Sequence, residues 1–516
     1  MRCGAKRPAA LLAAFALLSA PGFRADGAQA QETGETSLHE LSQESYSYNY
    51  WGRSVSCPDP YRIETVLDGA ALGCGSFDGI ADLFADEQGQ LYIVDTGHNR
   101  LVRLNADLTF SREYTGAQGE DGFEAFNRPE GAFVTPEGDI LVADTENHRV
   151  VRMDGEGRLL QIYEAPEGSG FADNFVYKPQ KLAVDESGRI FVVAAFVNQG
   201  IIMLSPDGEF DGFLAAAKVN PDPLEMLWKR FSTDEQRDRM SDFVPIEYNN
   251  LCLDDEGFLF ATTAAVDASL IVAQVQSREG SEQGAVVRRL NMTGQDILRR
   301  KGFFPPVGDV EDLQETAPAF SGVSQIMDVA CGANGTYSLL DNNRKRIFTY
   351  DRDGNLLYAF TGQGPDAGGF QTPVALEAWG GRMAVADKNT GLVTVLARTE
   401  YARLIDDALA RYAEGNYTEA QALWKRVMEE NSNFDMAYTG MGKAAYRAGQ
   451  YEEAMRYFEL GNNREWYSKA YEQHRAGIIG SWFGPAVVGV LILAGGGWSW
   501  HIIRRKKGGR RHEPHD

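Results

Sequence analysis

The stretch "LYIVDTGHNRLVRLN", Leu91 to Asn105, is written a second time 49 residues later as "ILVADTENHRVVRMD", Ile140 to Asp154. A chain that repeats itself at such an interval builds units that bury their apolar faces only by stacking on one another. Each copy reads as a strand, a tight acidic-Gly turn, a second strand, a polar turn and a third strand. The first turns end at Gly89, Gly138, Gly188, Gly257, Gly335 and Gly380, at intervals of 49, 50, 69, 78 and 45 residues. Glycine supplies the positive φ that such hairpin turns need. The strands that follow are "LYIVD", "ILVAD", "IFVVA", "LFATT", "TYSLLD" and "RMAVAD". They are apolar on consecutive positions, as strands buried on both faces are. An open sheet of this many strands would curl or split. Radial repetition leaves only short protected edges, so six units predict a six-bladed β-propeller.

"DTGHNRLVRL" (Asp95 to Leu104) and "DTENHRVVRM" (Asp144 to Met153) resemble NHL repeats, as does the shorter "DNNRKRIFTY" (Asp341 to Tyr350). The resemblance covers roughly residues 60–398 and fades in the third, fourth and sixth units. Asp387 and Asn389 remain in the sixth, which loses its Arg. The motif residues Asp95, Asn99, Arg100, Asp144, Asn147, Arg149, Asp341, Arg344 and Asp387 read as structural. Their carboxylates can accept turn amides, and their Asn and Arg side chains can tie turn to strand. A ring must close, and "YRIETVL" (Tyr61 to Leu67) is expected to supply the outer strand of the last blade. The propeller is assigned to residues 46–398, with a helical insertion over 213–247. A second, polar insertion, Val275 to Gly284, reads as a loop.

After Arg398 the period changes to helical. Gly415 and Gly449, Tyr417 and Tyr451, and Ala420 and Ala454 each lie 34 apart, the G-x-Y-x-x-A spacing of tetratricopeptide repeats. Two repeats are assigned to 401–472. Isolated pairs of such repeats are marginal, so docking against the propeller or a partner is expected.

The ends differ from the middle. Residues 1–30 have a basic start, an apolar run and a small-x-small site, which reads as a signal peptide. Residues 481–503 contain no charged side chain and carry Trp482, Trp498 and Trp500 near their ends; "RRKKGGRR" follows. That is a transmembrane helix with a basic cytoplasmic tail, 504–516, and the N-terminal domains outside a cell membrane. Net charge is -23. The basic ends leave the exported part more acidic still, which repels phosphate backbones and excludes nucleic acid as a partner.

Of the five cysteines, four lie beyond the apolar leader, Cys57, Cys74, Cys252 and Cys331; four allow three pairings, and Cys57 with Cys74, close in sequence, is the expected one. Only His98 and His148 lie in the propeller region, both in turn motifs, so the three-histidine zinc site of amidating-lyase propellers is not available. Gluconolactonase-like propellers place a divalent cation at the funnel mouth. Counting back from each blade turn gives Asp82, Glu130, Gln180, Asn249 and Asp328 as funnel residues, for which Ca2+ is the conceivable ion. No nucleophile elbow or phosphate loop appears. The leading expectation is a membrane-anchored extracellular binding or scaffold protein without a cofactor. It takes protein partners and, from its similarity to Gram-positive bacterial envelope proteins, sits beside a solute-uptake complex. The alternative is a gluconolactonase-like or lyase propeller enzyme.

Overall fold

The opening repeat folds as one antiparallel sheet, Ile80–Ala85, Leu91–Asp95, Arg100–Leu104 and Phe110–Tyr114, paired in that order. Its second copy does the same with Gly131–Val134, Ile140–Asp144, Arg149–Met153 and Leu159–Tyr163. These sheets are blades 1 and 2 in a computed structural model that describes residues 44–166, 171, 175–215, 247–263, 265–281, 283–302, 304–310, 322–364 and 369–508. Blades 3 (179–214), 4 (250–290), 5 (326–360) and 6 (373–398) complete a six-bladed propeller. The segments read as a signal peptide, as the body of the helical insertion (216–246) and as the end of the basic tail (509–516) lie outside the described residues.

Tyr61–Asp68 pairs along Leu392–Arg398 and becomes the fourth strand of blade 6, closing the ring as its strand pattern suggests. Just before it, a hairpin of Tyr46–Tyr48 and Ser54–Ser56 adds to the outer edge of blade 5 through Tyr46 and Ala359. Blade 4 has three strands, and its outer edge is reduced to a single bridge between Leu290 and Asp296.

The consecutive apolar residues of each second strand are explained by the seams between blades. Leu91 and Ile93 pack against Ala384 and Val393 of blade 6, while Tyr92 and Val94 pack against Ala132 and Val142 of blade 2. The same division continues around the ring. Each such side chain contributes about 1.5–3 kcal/mol by leaving water. Because neighbouring strands are antiparallel, the motif turns and the inter-blade connections share one end of the ring, and the Gly turns share the other.

The polar insertion read as a loop is in its first part a helix, α1, Ala268–Ser277. Asp267 caps it by accepting the Ser269 amide, and Ile271 and Gln274 turn inward, so its buried face outweighs the polar composition.

Five helices follow the propeller: α2 Glu400–Ala413, α3 Tyr417–Glu430, α4 Asp435–Arg447, α5 Tyr451–Leu460 and α6 Arg464–Gly508. Gly415 and Gly449 turn the chain between paired helices at φ 81 and 78°, and Ala420 and Ala454 are fully buried. At Gly440 a Cβ would stand 2.4 Å from the Trp424 ring, so glycine there sets how closely α3 and α4 approach. The sixth seam does not stop at the propeller. Leu376, Met383 and Leu396 share one core with Tyr401, Ile405, Trp424 and Met441. Lys443 adds an ion pair to Asp353 at 3.0 Å, and Arg398 one to Asp406 at 2.8 Å. The repeat helices are therefore docked on blades 5 and 6. α6 is long and apolar enough to cross a membrane, and its apolar window is wholly unburied.

The cysteine pairing differs from the expected one. Cys252 and Cys331 form the disulfide, with Cα atoms 6.6 Å apart, while Cys57 and Cys74 are free. Proximity in sequence misleads here because the ring sets the innermost strands of blades 4 and 5 side by side across 79 residues.

Candidate functional site

The motif turns are built first, because they fix the inner strands. Asp95 Oδ1 accepts the amide of Asp78 at 2.8 Å, and Asp144 Oδ1 that of Asn127 at 2.7 Å. Asp341 accepts from Gln325, and Asp387 from Gln371 and Thr372, at the equivalent places. Each carboxylate thus pins the segment leading into its own blade. The arginines close the turns: Arg100 Nε reaches Asp95 at 2.7 Å and Arg149 Nε reaches Asp144 at 2.9 Å. Arg344 instead donates to the carbonyls of Val310 and Gly322. Asn99 accepts the Arg128 amide, and Asn147 donates to Ala125 O and to Asp144. His98 bonds to Asp95 within its own turn, and His148 bonds to Tyr177 O on the segment leading into blade 3.

Two residues escape the motif reading. Thr96 Oγ1 donates to Pro129 O and Thr145 Oγ1 to Pro179 O, each at 2.6 Å and each across to the next blade. Their signal is the Asp-Thr dipeptide shared by both copies.

Four of the innermost strands slip register by one residue after Ile80, Pro179, Ile326 and Pro373. The bulge presents Asp82, Lys181 and Asp328 at matching positions, with Asn250 completing the set in blade 4. Lys181 Nζ reaches Asp82 Oδ1 at 2.5 Å and Ala81 O at 2.8 Å, from blade 3 to blade 1, so these side chains meet across the propeller axis. The other oxygen of Asp82 accepts the Ala132 amide. Asp328 accepts from Asn250 Nδ2, from its neighbour Val329 N and from Leu376 N in blade 6.

Glu130, Gln180 and Asn249 stand one residue before this set. Gln180 Nε2 donates to Glu130 at 2.8 Å, while Asn249 donates to the carbonyls of Ile326 and Met327 and accepts from Thr262. Lys181 and Asn250 stand seven residues before Gly188 and Gly257, the same offset as Asp82 and Asp328 from Gly89 and Gly335; counting eight in the second, third and fourth units gives their neighbours Glu130, Gln180 and Asn249 instead.

Burial dominates the electrostatics of the axis. It raises the Asp82 carboxyl, with Lys181 pulling it back. It raises Asp328 to about 7, Lys181 opposing and Asp82 adding to the effect. It holds Glu377, on the innermost strand of blade 6, well above the usual carboxylate range, with Asp328 and Asp82 contributing. The axis therefore holds one ion pair beside two carboxyls that burial and neighbouring like charge shift upward. Calcium takes six to eight oxygens at about 2.3–2.6 Å, whereas the oxygens of Asp82 and Asp328 already accept from this chain's own donors. Among the described residues no group of three or more His, Cys, Asp and Glu side chains is placed to hold a metal ion. The funnel set does not fit a calcium site as it stands.

The NHL repeat family profile matches residues 126–153, which carry the Asp144 turn. A tetratricopeptide repeat profile matches residues 411–465, from the end of α2 to the start of α6. Solved structures of similar fold include virginiamycin B lyase from Staphylococcus aureus, 12% identical over 65% of this chain and 99% of that one, with TM-score 0.38. Kuenenia stuttgartiensis hydrazine synthase is 10% identical over 63% and 96% respectively, with TM-score 0.39. Likenesses this distant say nothing about activity. No curated protein matches the chain.

Proposed function

We propose that this NHL-type propeller with its two tetratricopeptide repeats is a binding and scaffold protein, anchored in the cell membrane by α6. The observation that carries the reading is the single core running from blades 5 and 6 through α2, α3 and α4. It joins the propeller and repeats in one compact unit, continued by a helix from the repeat stack. Rigid repeat surfaces suit protein partners, and a membrane transport complex is the proposed setting. The Cys252–Cys331 bond supports placing the propeller on the oxidising, extracellular side, with the basic end of α6 in the cytoplasm.

The test is site-specific photo-crosslinking in intact cells from the exposed Phe123 and Phe196. A discrete protein adduct containing a membrane transporter subunit is expected. Absence of any protein adduct from both positions counts against the scaffold, and adducts lacking a transporter remove the uptake setting. Protease added to intact cells is expected to digest the propeller and spare the tail.

A second reading, a propeller enzyme, has one specific support: the buried Asp328 and the partly exposed Glu377 beside it have carboxyls shifted upward, as acid–base groups at active sites often are. Turnover of a lactone or peptide substrate that is lost in Asp328→Asn would favour it.

A further inference from the structure

After α5 ends at Leu460 the chain turns back into α6, which packs along it and brings His474 beside the start of α5. Between the two helices lies a cleft of about 680 Å³. That volume is in the range of small-molecule sites. Its chemistry is decided by which of its groups are already taken. Glu453 accepts from Gln421 Nε2 at 3.2 Å and from the Tyr457 hydroxyl. The Tyr451 ring meets Tyr446 edge-on at 5.5 Å and forms a wall. Arg456, Glu452 and His474 have no ion pair or side-chain hydrogen bond among the described residues. Arg456 and Glu452 are exposed, and His474 is half-buried. The cleft thus offers a free cation, a free carboxylate and a free imidazole.

Its place along α6 narrows what could fill it. Arg475, next to His474, is the last Asp, Glu, Lys or Arg before Arg504. As a helix, residues 476–503 between them are about 42 Å long. A bilayer with its headgroups is about 40–45 Å thick. The two arginines therefore mark the two headgroup surfaces, and the cleft beside His474 lies at the height of the headgroups on the propeller side.

We infer that the cleft between α5 and α6 holds the headgroup of a phospholipid that carries both a phosphate and an amine, the phosphate meeting Arg456 and His474 and the amine meeting Glu452. Guanidinium and imidazole N–H groups suit phosphate oxygens, and a carboxylate without a cation of its own suits an ammonium. A headgroup without the amine would leave Glu452 beside a like charge. A bound headgroup holds the repeat stack at a fixed height over the bilayer. The inference rests on the reading of α6 as a membrane span and not on the scaffold role.

The span is tested separately, by flotation of the full chain with phosphatidylcholine vesicles through a carbonate wash. Release of the chain removes the span and this inference with it. The headgroup is tested on the full chain in dodecyl maltoside micelles, by the rate at which diethyl pyrocarbonate modifies His474, read by peptide mass spectrometry with the exposed His98 as control. Dihexanoyl phosphatidylethanolamine is expected to protect His474 saturably and leave His98 unchanged. It should do so at about tenfold lower concentration than dihexanoyl phosphatidylglycerol, which lacks the amine. R456Q and E452Q are each expected to raise the concentration needed about tenfold, the size of one charge-assisted hydrogen bond. Equal protection by the two lipids overturns the inference, as does an unchanged concentration in R456Q. No protection, in a chain that stays with vesicles, overturns the headgroup site and leaves the span standing. O-phosphoethanolamine protecting as well as the lipid overturns the lipid assignment in favour of a soluble phosphoamine. If R456Q fails to fold, the comparison of the two lipids on the parent protein still decides.

Discussion

Blade 2 closes its turn with the buried carboxylate of Asp144; blade 4 has Thr263 at the same place and is joined to blade 5 by a disulfide. In blade 2 that carboxylate gathers the Asn127 amide, the Asn147 side chain and Arg149. In blade 4, Thr263 donates its amide to Val286 O and receives Arg288 at 3.2 Å, a largely neutral substitute. Among the described residues blade 4 also has three strands where blade 2 has four. The difference teaches that the ring needs a fastening at each seam but not the same one. A local hydrogen-bond cluster can be replaced by a covalent bond to the neighbour.

Four predictions break or sharpen that comparison. The largest effect is expected from Asp144→Ala, which leaves Arg149 half-buried with one partner fewer and should cost about 4 kcal/mol in guanidinium unfolding. Thr263→Ala should cost about 1 kcal/mol, and equal costs would mean the two turns are not differently fastened. Next, Cys252→Ala with Cys331→Ala should cost about 3 kcal/mol, because the bond closes a long loop. Limited proteolysis should then cut first in blade 4, and first cuts in blade 2 would reverse the comparison.

A third prediction concerns the axis beside blade 4. Burial raises Asp328 from 3.8 to about 7, so its stabilising effect is complete at low pH and is lost as pH rises through that window. Comparing the parent protein with Asp328→Asn should show the parent gaining about 3 kcal/mol relative to the variant as pH falls from 7 to 4, measured by unfolding at each pH. Parallel curves would place the charge elsewhere. The smallest effect belongs to Thr145→Val, about 1 kcal/mol, since a single hydrogen bond between blades 2 and 3 is lost.

Much of the fold was legible because it is periodic. The 49-residue spacing, the two-faced apolar strands and the 34-residue helical period each reflect a local rule, and the structure contains the six blades, the closing strand and the helix pairs. The candidate site was less legible. Asp82 and Asp328 stand seven residues before their Gly turns, and so do Lys181 and Asn250, but a count of eight in the middle units lands on their neighbours, whose side chains face away from the set around the Lys181–Asp82 pair. Which of two adjacent inner-strand residues turns to the axis is set by how that strand meets its neighbours, and in four blades a β-bulge shifts it by one. The helix at Ala268–Ser277 was hidden for a related reason: its helicity rests on burying Ile271 and Gln274, a tertiary contact.

By itself the sequence determined what repeats, what is apolar on which period, and where the composition breaks between propeller, helices and an uncharged span. These depend on propensity and spacing, which act over a few residues. Only the tertiary structure decided which cysteines meet, which carboxylates share the axis with Lys181, and that the repeat helices dock on blades 5 and 6. Each of these joins residues tens to hundreds of positions apart, and closing the ring is what brings them within reach of one another.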